Sequence, residues 1–354
     1  MRNGDHIAQI TEIHTVNIWG NSTFVSVDVK DMDALSLETG QIYRTEVTST
    51  FVQDSTNWCI GPPLTRSEKR LLPDGTNTTR SASWVVPPAE CRVTQETLEP
   101  GGGNLLSLVT DIGHDTCGNV DQLTTQPAGT TGQARVTSIN YGSRCQRPET
   151  ITNPENHVSN TAYNWPLALQ ATQTDPNGLV TTLTYDGFGR LTRLLRPDGS
   201  PTGTGVRFAL TACSAGNSWC GKNSGARVKV TRTERSTTDS VLRTDEQFLD
   251  GFGRLRWTHI ESLESGPAIV EMLYDAFGRV SQQTQPYFAG GAVYATVLTR
   301  DLIGRVTSSN APISETQTSG RITGFAYEGR NLRVTDPGNQ ITSRISNVLG
   351  QLRS

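Results

Sequence analysis

The 354-residue chain has little apolar and aromatic content. Hydrophobic side chains make up 34% of it and aromatic side chains 6%, less than is usual for a globular protein with a dry core. No run of about 18 apolar residues occurs, so the length rule predicts no membrane-spanning helix. The net charge is −3, without a basic cluster or an acidic tail, so no nucleic-acid partner is predicted. Residues 160–354 also lack the long apolar stripes that helical repeats need.

Signatures of catalysis and of cofactor binding are missing as well. There is no Gly-x-Ser-x-Gly sequence, and the glycines at 101–103 lack the Lys-Ser/Thr of a phosphate loop. His114 and Cys117 are three residues apart, but a structural zinc site usually takes four ligands. Glu261 and Glu264 fit a solvated strand or loop better than a pair of catalytic carboxylates. We therefore predict no enzyme activity, no cofactor and no metal site.

What the sequence does have is a recurring motif, Tyr-Asp-x-x-Gly-Arg followed by Leu or Val. Two copies are complete, and two more keep everything except the tyrosine. Asp275 follows Asp250 by 25 residues, and Asp301 follows Asp275 by 26, as in a fixed-period repeat. The motif residues are Tyr185, Asp186, Gly189, Arg190, Asp250, Gly253, Arg254, Tyr274, Asp275, Gly278, Arg279, Asp301, Gly304 and Arg305.

Looser copies extend the series in both directions. Downstream, Tyr327 is followed by Glu328 and Gly329, and Asn347 begins a copy with Gln in place of Arg. Upstream, Asn17 and Asp115 begin Asp/Asn-x-x-Gly-Asn variants. The residues before about position 160 are less regular, and we expect the sequence Trp58 to Pro63 to interrupt the strand pattern there.

The motif predicts a β-hairpin turn. An Asp at the first position of a type I turn caps the amide two residues later, and the Gly accepts the left-handed conformation. The flanking strands should be Val180–Tyr185 and residues 190–196. A second turn, often containing proline, then returns the chain, as at 174–178, 196–199 and 335–339. One repeat is therefore two strands and two turns.

Polar residues fill both faces of the predicted strands. Thr181, Thr182 and Thr184 surround Leu183 in one strand, so neither face is fully apolar. A tight sandwich would need one clean apolar face per sheet. The sequence thus predicts an all-β fold of antiparallel hairpin repeats in a curved, spiralling sheet that is wetted on both faces, as in a hollow shell.

The recurring motif, with Asp-Pro-x-Gly or Pro-Asp-Gly between copies, resembles the YD repeat of bacterial Rhs proteins, animal teneurins and the B and C components of Tc toxin complexes. The strong resemblance covers residues 161–354, and residues 1–160 form an irregular β region with degenerate YD-like repeats. The resemblance implies a hollow shell that encloses a C-terminal polypeptide, often a toxin. It implies the rest of a longer shell, or an enclosed effector polypeptide, as partners.

Asp175-Pro176-Asn177-Gly178-Leu179 resembles the self-cleaving element of such shells. A motif copy follows it after seven residues, so a turn is the better interpretation. We therefore expect no self-cleavage. The first six residues lack the apolar region of a signal peptide, and the last copy stops at Ser354 without a cap. These features predict a segment of a longer protein, secreted or at the cell surface by the parent's export route. Because the sheet edges of such a segment would be unpaired, we expect the isolated chain to associate or to be poorly soluble.

Six cysteines occur. Cys213 and Cys220 lie in a small, flexible stretch and form a candidate disulfide, with two free thiols in a surface insertion as the alternative. An even number is consistent with an oxidising compartment.

Two alternatives concern binding. The motif arginines should stack on an aromatic residue of a neighbouring hairpin or pair with a turn aspartate, or else form an anionic ligand site. The chain as a whole is either a shell segment or a cell-surface or secreted adhesion protein that recognises carbohydrate or a partner protein. For the second function the candidate sugar-stacking residues are Trp19, Trp58, Trp84, Trp165, Trp219 and Trp257.

Overall fold

The computed structural model describes most of the chain. The described residues are 6–34, 36, 38–101, 106–130, 132, 134–197, 205–213, 220, 225–262, 266–312 and 321–353. They contain 25 strands and one 3₁₀ turn, Gly142–Arg144. The strands are β1 (Ala8–Val16), β2 (Ser22–Asp31), β3 (Ile42–Asp54), β4 (Cys59–Leu71), β5 (Asn77–Val85), β6 (Gln95–Leu98), β7 (Leu108–His114), β8 (Val120–Pro127), β9 (Arg135–Asn140), β10 (Thr150–Thr152), β11 (Val158–Asn164), β12 (Leu169–Thr174), β13 (Val180–Tyr185), β14 (Leu191–Leu195), β15 (Gly205–Ala212), β16 (Ala226–Arg235), β17 (Val241–Asp250), β18 (Leu255–Ile260), β19 (Ala268–Tyr274), β20 (Val280–Thr284), β21 (Ala295–Arg300), β22 (Val306–Ala311), β23 (Arg321–Glu328), β24 (Asn331–Thr335) and β25 (Ile341–Ile345).

The strands group into two compact units. The first contains Met1–Asn160, Glu328–Asn331 and Arg344–Ser354, and the second contains Thr161–Tyr327 and Leu332–Ser343. In the first unit β1 to β11 pair in chain order, each antiparallel to the next. In the second unit β12 to β23 do the same. The predicted all-β fold of antiparallel hairpins is confirmed.

The pairing register shifts just before each motif turn. Shifts lie between Thr184 and Tyr185, between Leu273 and Tyr274, and between Thr299 and Arg300. A shift of this kind is what a type I turn followed by a left-handed residue produces. The predicted strand Val180–Tyr185 is β13, with the same limits.

The expectation that Trp58 to Pro63 interrupts the strand pattern holds for Trp58, which lies in the turn before β4 with φ +55°, and is wrong for the residues after it. Gly61, Pro62 and Pro63 lie inside β4, which pairs with β3 along its length. Two register shifts in β3, around Phe51, accommodate these prolines, since proline in a sheet is tolerated at irregular positions where its missing N–H is not needed.

Buried apolar residues form small clusters rather than a continuous layer. In the first unit Val52, Cys59 and Val86 pack together. In the second unit Phe248, Trp257 and Ile269 form the centre of another cluster. Most other strand residues are half-buried, as in all five positions of β14. The low apolar content therefore supports two local cores within sheets that carry polar side chains.

Three disulfides link the cysteines: Cys59 to Cys91, Cys117 to Cys145 and Cys213 to Cys220. The sequence singled out the third pair alone, because the other partners are 32 and 28 residues apart. Among the described residues no helix is long and apolar enough to cross a membrane.

Candidate functional site

The motif residues build one repeated turn. In the second-unit turn Asp250–Arg254, the Asp250 N–H donates to the Arg254 carbonyl at 2.9 Å, and the Gly253 N–H donates to the Asp250 carbonyl at 3.0 Å. Oδ1 of Asp250 accepts from the N–H groups of Phe252 and Arg254, and Oδ2 accepts from Arg254 Nε at 2.7 Å. The same bonds recur in the turns that begin at Asp186, Asp275 and Asp301.

The glycine of each turn has the left-handed backbone that the turn requires. The φ angles are +76° at Gly189, +76° at Gly253, +79° at Gly278 and +94° at Gly304. This conformation is strained for residues with a side chain at Cβ, which explains the glycine in every strong copy.

Hydrogen bonds to the turn aspartates favour their charged form. At Asp275 the backbone N–H of Arg279 is the largest cause that lowers the pKa of the carboxyl, and the Arg279 side chain adds to it. At Asp250 burial raises the pKa, but the backbone N–H groups of Arg254 and Phe252 outweigh it, so the pKa is again lowered. The aspartates therefore act as ionised caps.

Weaker copies form the same turn with other residues: Asn17, Asp115 and Asn347 each accept hydrogen bonds from the N–H groups two and four residues later. Asp175 and Asp336, which belong to the predicted proline-containing return turns, accept the same two hydrogen bonds. Two further examples, at Asn153–His157 and Ser236–Ser240, were missed from the sequence. Their first residues, Asn and Ser, were the available signal, because both cap turns in this way.

Within the second unit, motif side chains also connect consecutive hairpins. The Arg254 guanidinium carbon lies 4.6 Å from the ring centroid of Tyr274, which belongs to the next hairpin. The Tyr274 hydroxyl donates to the carbonyl of Leu255 at 2.7 Å. Nη1 of Arg254 also lies so close to Gly278 that a Cβ there would be 2.9 Å away. Arg254 thus binds the aspartate of its own turn and packs on the tyrosine of the next hairpin.

The same relationship recurs down the array. Arg305 lies 4.3 Å from the ring centroid of Tyr327, and the Tyr327 hydroxyl donates to the carbonyl of Val306 at 3.0 Å. Upstream, the hydroxyl of Tyr185 donates to the carbonyl of Gln170 at 2.8 Å. The tyrosine of the motif is therefore a link between consecutive hairpins.

The copy at Asp301 shows why a missing tyrosine is tolerated. Arg300 stands in the tyrosine position, and its Nη2 donates to the carbonyl of Val280 at 3.2 Å. Nη1 of Arg279 lies close to Gly304, so a Cβ added at Gly304 would be only 2.9 Å from it. An arginine donor thus replaces the phenol hydroxyl, and the contact between turns stays the same.

Comparison with known proteins identifies this repeat. The family model described as RHS Repeat matches residues 169–201, which contain the Asp186–Arg190 turn. Residues 169–201 carry the RHS repeat. The predicted resemblance to Rhs and YD-repeat proteins is therefore confirmed.

Solved structures share the fold of this chain. A crystal structure of TcdB2-TccC3 matches with a TM-score of 0.65 and 12% identity over 95% of this chain and 24% of the other. TcdB2-TccC3 without its hypervariable C-terminal region matches with a TM-score of 0.63, 12% identity, 95% of this chain and 26% of the other. The Photorhabdus luminescens Tc holotoxin pore matches with a TM-score of 0.56, 12% identity, 97% of this chain and 18% of the other. The chain spans about a quarter of the length of the first of these. No curated protein sequence matches it.

The tips of the RHS-repeat turns carry exposed apolar residues. Phe188, Phe252 and Phe277 occupy one position in three turns and are 83–86% exposed. The arginine of each turn lies about 5 Å from the ring of its own phenylalanine. The same three arginines donate to the aspartates of their own turns.

The residues considered for metal binding have other contacts. Asp115, Cys117 and Cys145 bring ligand atoms within 4.8 Å of one another, but the two sulfurs are joined in a disulfide and Asp115 caps its turn. Glu261 accepts a hydrogen bond from the N–H of Thr244. Glu264 and Trp219 lie outside the described residues.

Arg330 is a structural residue of the first unit that the sequence did not reveal. It follows the loose copy at Tyr327, where a tight turn with Gly329 at φ +62° replaces the five-residue turn. Its guanidinium donates to the fully buried carboxylate of Asp31 and to the carbonyls of Ile7 and Ser346. Asp31 and Arg330 are 299 residues apart, so no local pattern could pair them.

Proposed function

We propose that this chain is a non-enzymatic segment of an RHS-repeat shell that encloses and delivers a polypeptide effector. The observation that carries the proposal is the contact between consecutive hairpins of the second unit, in which Arg254 supports the next turn at Gly278 and packs on Tyr274. Such contacts extend a sheet hairpin by hairpin without a large dry core. This suits a wall better than a compact binding domain.

The fold of TcdB2-TccC3 supports an enclosed polypeptide as the partner. One matching structure is described as lacking a hypervariable C-terminal region, so a TccC3-type chain contains a segment that varies separately from its fold. This chain covers about a quarter of that length. We therefore propose the rest of a longer shell as a second partner.

The disulfide pairing of the cysteines supports an extracellular location. All the described cysteines are paired in the three disulfides, and disulfides persist in oxidising compartments. We propose that the protein is secreted or displayed at the cell surface by the export route of its parent.

A protease-protection assay on the tagged protein, purified from its native cells, tests the proposal. A polypeptide should co-purify and resist trypsin while the shell is folded, and it should be digested once urea unfolds the shell. A free sample of the same polypeptide is the matched control. Digestion at equal rates in the folded complex and in the free sample would contradict enclosure, and so would the absence of any co-purifying polypeptide.

Carbohydrate recognition is the second candidate function, and one surface feature favours it. Trp58 is 75% exposed and Trp19 is 41% exposed, and their ring centroids lie 6.3 Å apart in an edge-to-face arrangement. Exposed indole rings of this kind stack on sugars. A glycan array with the wild type and Trp58→Ala tests this candidate: binding that the substitution removes supports it, and a blank array contradicts it.

A further inference from the structure

Four hairpin junctions of the second unit share one register. At each junction, the first paired residue of the earlier hairpin lies three positions after its motif arginine; these residues are Trp257, Gln282, Ser308 and Arg193. The residue paired with it on the next hairpin lies three positions before the residue that faces the arginine. That facing residue is Tyr274 for Arg254, Arg300 for Arg279 and Tyr327 for Arg305. For Arg190 the same register places Leu210 there.

Leu210 cannot make the contact that the other three residues make. Tyr274, Arg300 and Tyr327 each donate a hydrogen bond to the carbonyl that follows the arginine, and leucine has no side-chain donor. The leucine side chain is also shorter than that of tyrosine, and Leu210 is 46% exposed. The Arg190 side chain is 51% exposed, compared with 32% for Arg254 under Tyr274.

A cavity lies at this junction. It has a volume of about 250 Å³, and its wall is apolar apart from the turn residues at one side. Leu191, Phe208, Leu210 and Val230 provide the apolar wall, and Asp186 and Arg190 stand beside it. An apolar cleft with a few polar groups at one side is a typical small-ligand site.

We propose that this cavity binds a phenolic ring, which takes the place that Tyr274 takes at Arg254. The ring would pack on the Arg190 guanidinium, and its hydroxyl would donate to the Leu191 carbonyl. Each element of this site has its counterpart in the chain: the guanidinium over a tyrosine ring at 4.6 Å and 4.3 Å, and the hydroxyl-to-carbonyl bond at 2.7 Å and 3.0 Å. The ring comes from a free phenol or from a tyrosine of a partner polypeptide.

Calorimetric titration of the full chain with p-cresol tests the ligand chemistry. We expect saturable binding at one site, and binding of toluene weaker by about fivefold, because toluene lacks the hydroxyl that makes one hydrogen bond. Equal affinity for the two compounds, or no saturable binding of p-cresol, would overturn the proposal.

The variant Leu210→Tyr tests the location, because it supplies the ring from within the chain. It should abolish p-cresol binding and raise the melting temperature by about 2–4 °C, the shift expected for a gain of one such contact. Leu242→Tyr, at an exposed leucine of β17 outside the cavity, is the matched control and should bind p-cresol like the wild type. Unchanged binding by Leu210→Tyr would contradict the assignment.

Two further measurements complete the test. Arg190→Ala removes the guanidinium face and should weaken p-cresol binding severalfold even if Leu210→Tyr fails to fold; unchanged binding would overturn the site. Competition by an acetyl-Gly-Tyr-Gly-amide peptide separates the two sources of the ring. Displacement of p-cresol by the peptide assigns the site to a tyrosine of a polypeptide, and p-cresol binding that the peptide does not affect assigns it to a free phenol.

Discussion

Arg254 contacts two hairpins at once: its Nε donates to Asp250 in its own turn, and its guanidinium packs on the ring of Tyr274 in the next. The motif therefore encodes a link between repeats as well as a turn. This explains why arginine and tyrosine recur together in the motif: the arginine at the end of one copy contacts the tyrosine at the start of the next.

Glycine at the fourth turn position should matter in two ways, which Gly278 and Gly253 separate. Both have a positive φ, but a Cβ at Gly278 would meet Arg254 Nη1, whereas nothing lies within 4 Å of a Cβ at Gly253. We expect Gly253→Val to lower the free energy of unfolding by about 1–3 kcal/mol through backbone strain, and Gly278→Val to lower it further. Urea unfolding of both variants measures the difference. Equal losses of unfolding free energy in the two variants would show that the close approach of Arg254 to Gly278 does not affect stability.

Acid should destabilise the array through the turn aspartates. The pKa values of Asp186, Asp250, Asp275 and Asp301 are lowered in the folded protein. Their contribution to stability is therefore present above the unfolded pKa of about 3.9 and is lost as the pH falls through that value towards the folded pKa.

Asparagine at these positions tests this pH dependence. Asn17 and Asn347 show that an amide oxygen accepts the same backbone hydrogen bonds. Asp275→Asn should keep the turn but reduce the loss of unfolding free energy between pH 7 and pH 3, and substitution of all four aspartates should reduce it further. An unchanged pH profile in the fourfold variant would assign acid sensitivity to other groups.

The arginine at position 300 should be replaceable by tyrosine. Arg300 makes the inter-hairpin bond to Val280 that tyrosine makes elsewhere. We expect Arg300→Tyr to unfold at the same or a higher urea concentration than the wild type. Arg300→Ala, which loses the donor, should lower the free energy of unfolding by about 1 kcal/mol. If alanine is tolerated as well as tyrosine, the bond to Val280 does not stabilise the array.

The disulfides should contribute unequally. Cys59–Cys91 closes a separation of 32 residues, and Cys213–Cys220 closes one of 7. That the second pair is oxidised in the isolated protein stays a prediction, which a thiol titration of the native and unfolded chain checks. Replacing Cys59 and Cys91 by alanine should cost about 3–4 kcal/mol, and replacing Cys213 and Cys220 about 1 kcal/mol less. Reactive thiols at positions 213 and 220 in the native protein would contradict the pairing.

Local chemistry was readable from the sequence, and long-range contacts were not. The turn Asp186–Arg190 and the strand before it follow from residue preferences at fixed positions, so the hairpins and the all-β class could be predicted. For a motif arginine such as Arg254, the sequence predicted an aromatic partner in a neighbouring hairpin but did not identify it as Tyr274. The ion pair between Arg330 and Asp31 could not be predicted, because their separation of 299 residues follows no repeat period. The predicted division into an irregular β region at 1–160 and a repeat array at 161–354 stays a prediction.

A double-mutant cycle on Arg254 and Tyr274 tests directly whether consecutive hairpins stabilise each other, with Tyr274→Leu chosen because Leu210 occupies the corresponding position at Arg190. The free energies of unfolding of Arg254→Ala, Tyr274→Leu and the double variant give the coupling between the two side chains. We predict a favourable coupling of about 1 kcal/mol and, for the control cycle Arg190→Ala with Leu210→Ala, a coupling near zero. Additive losses at Arg254 and Tyr274 would contradict the claim that these two side chains hold consecutive hairpins together.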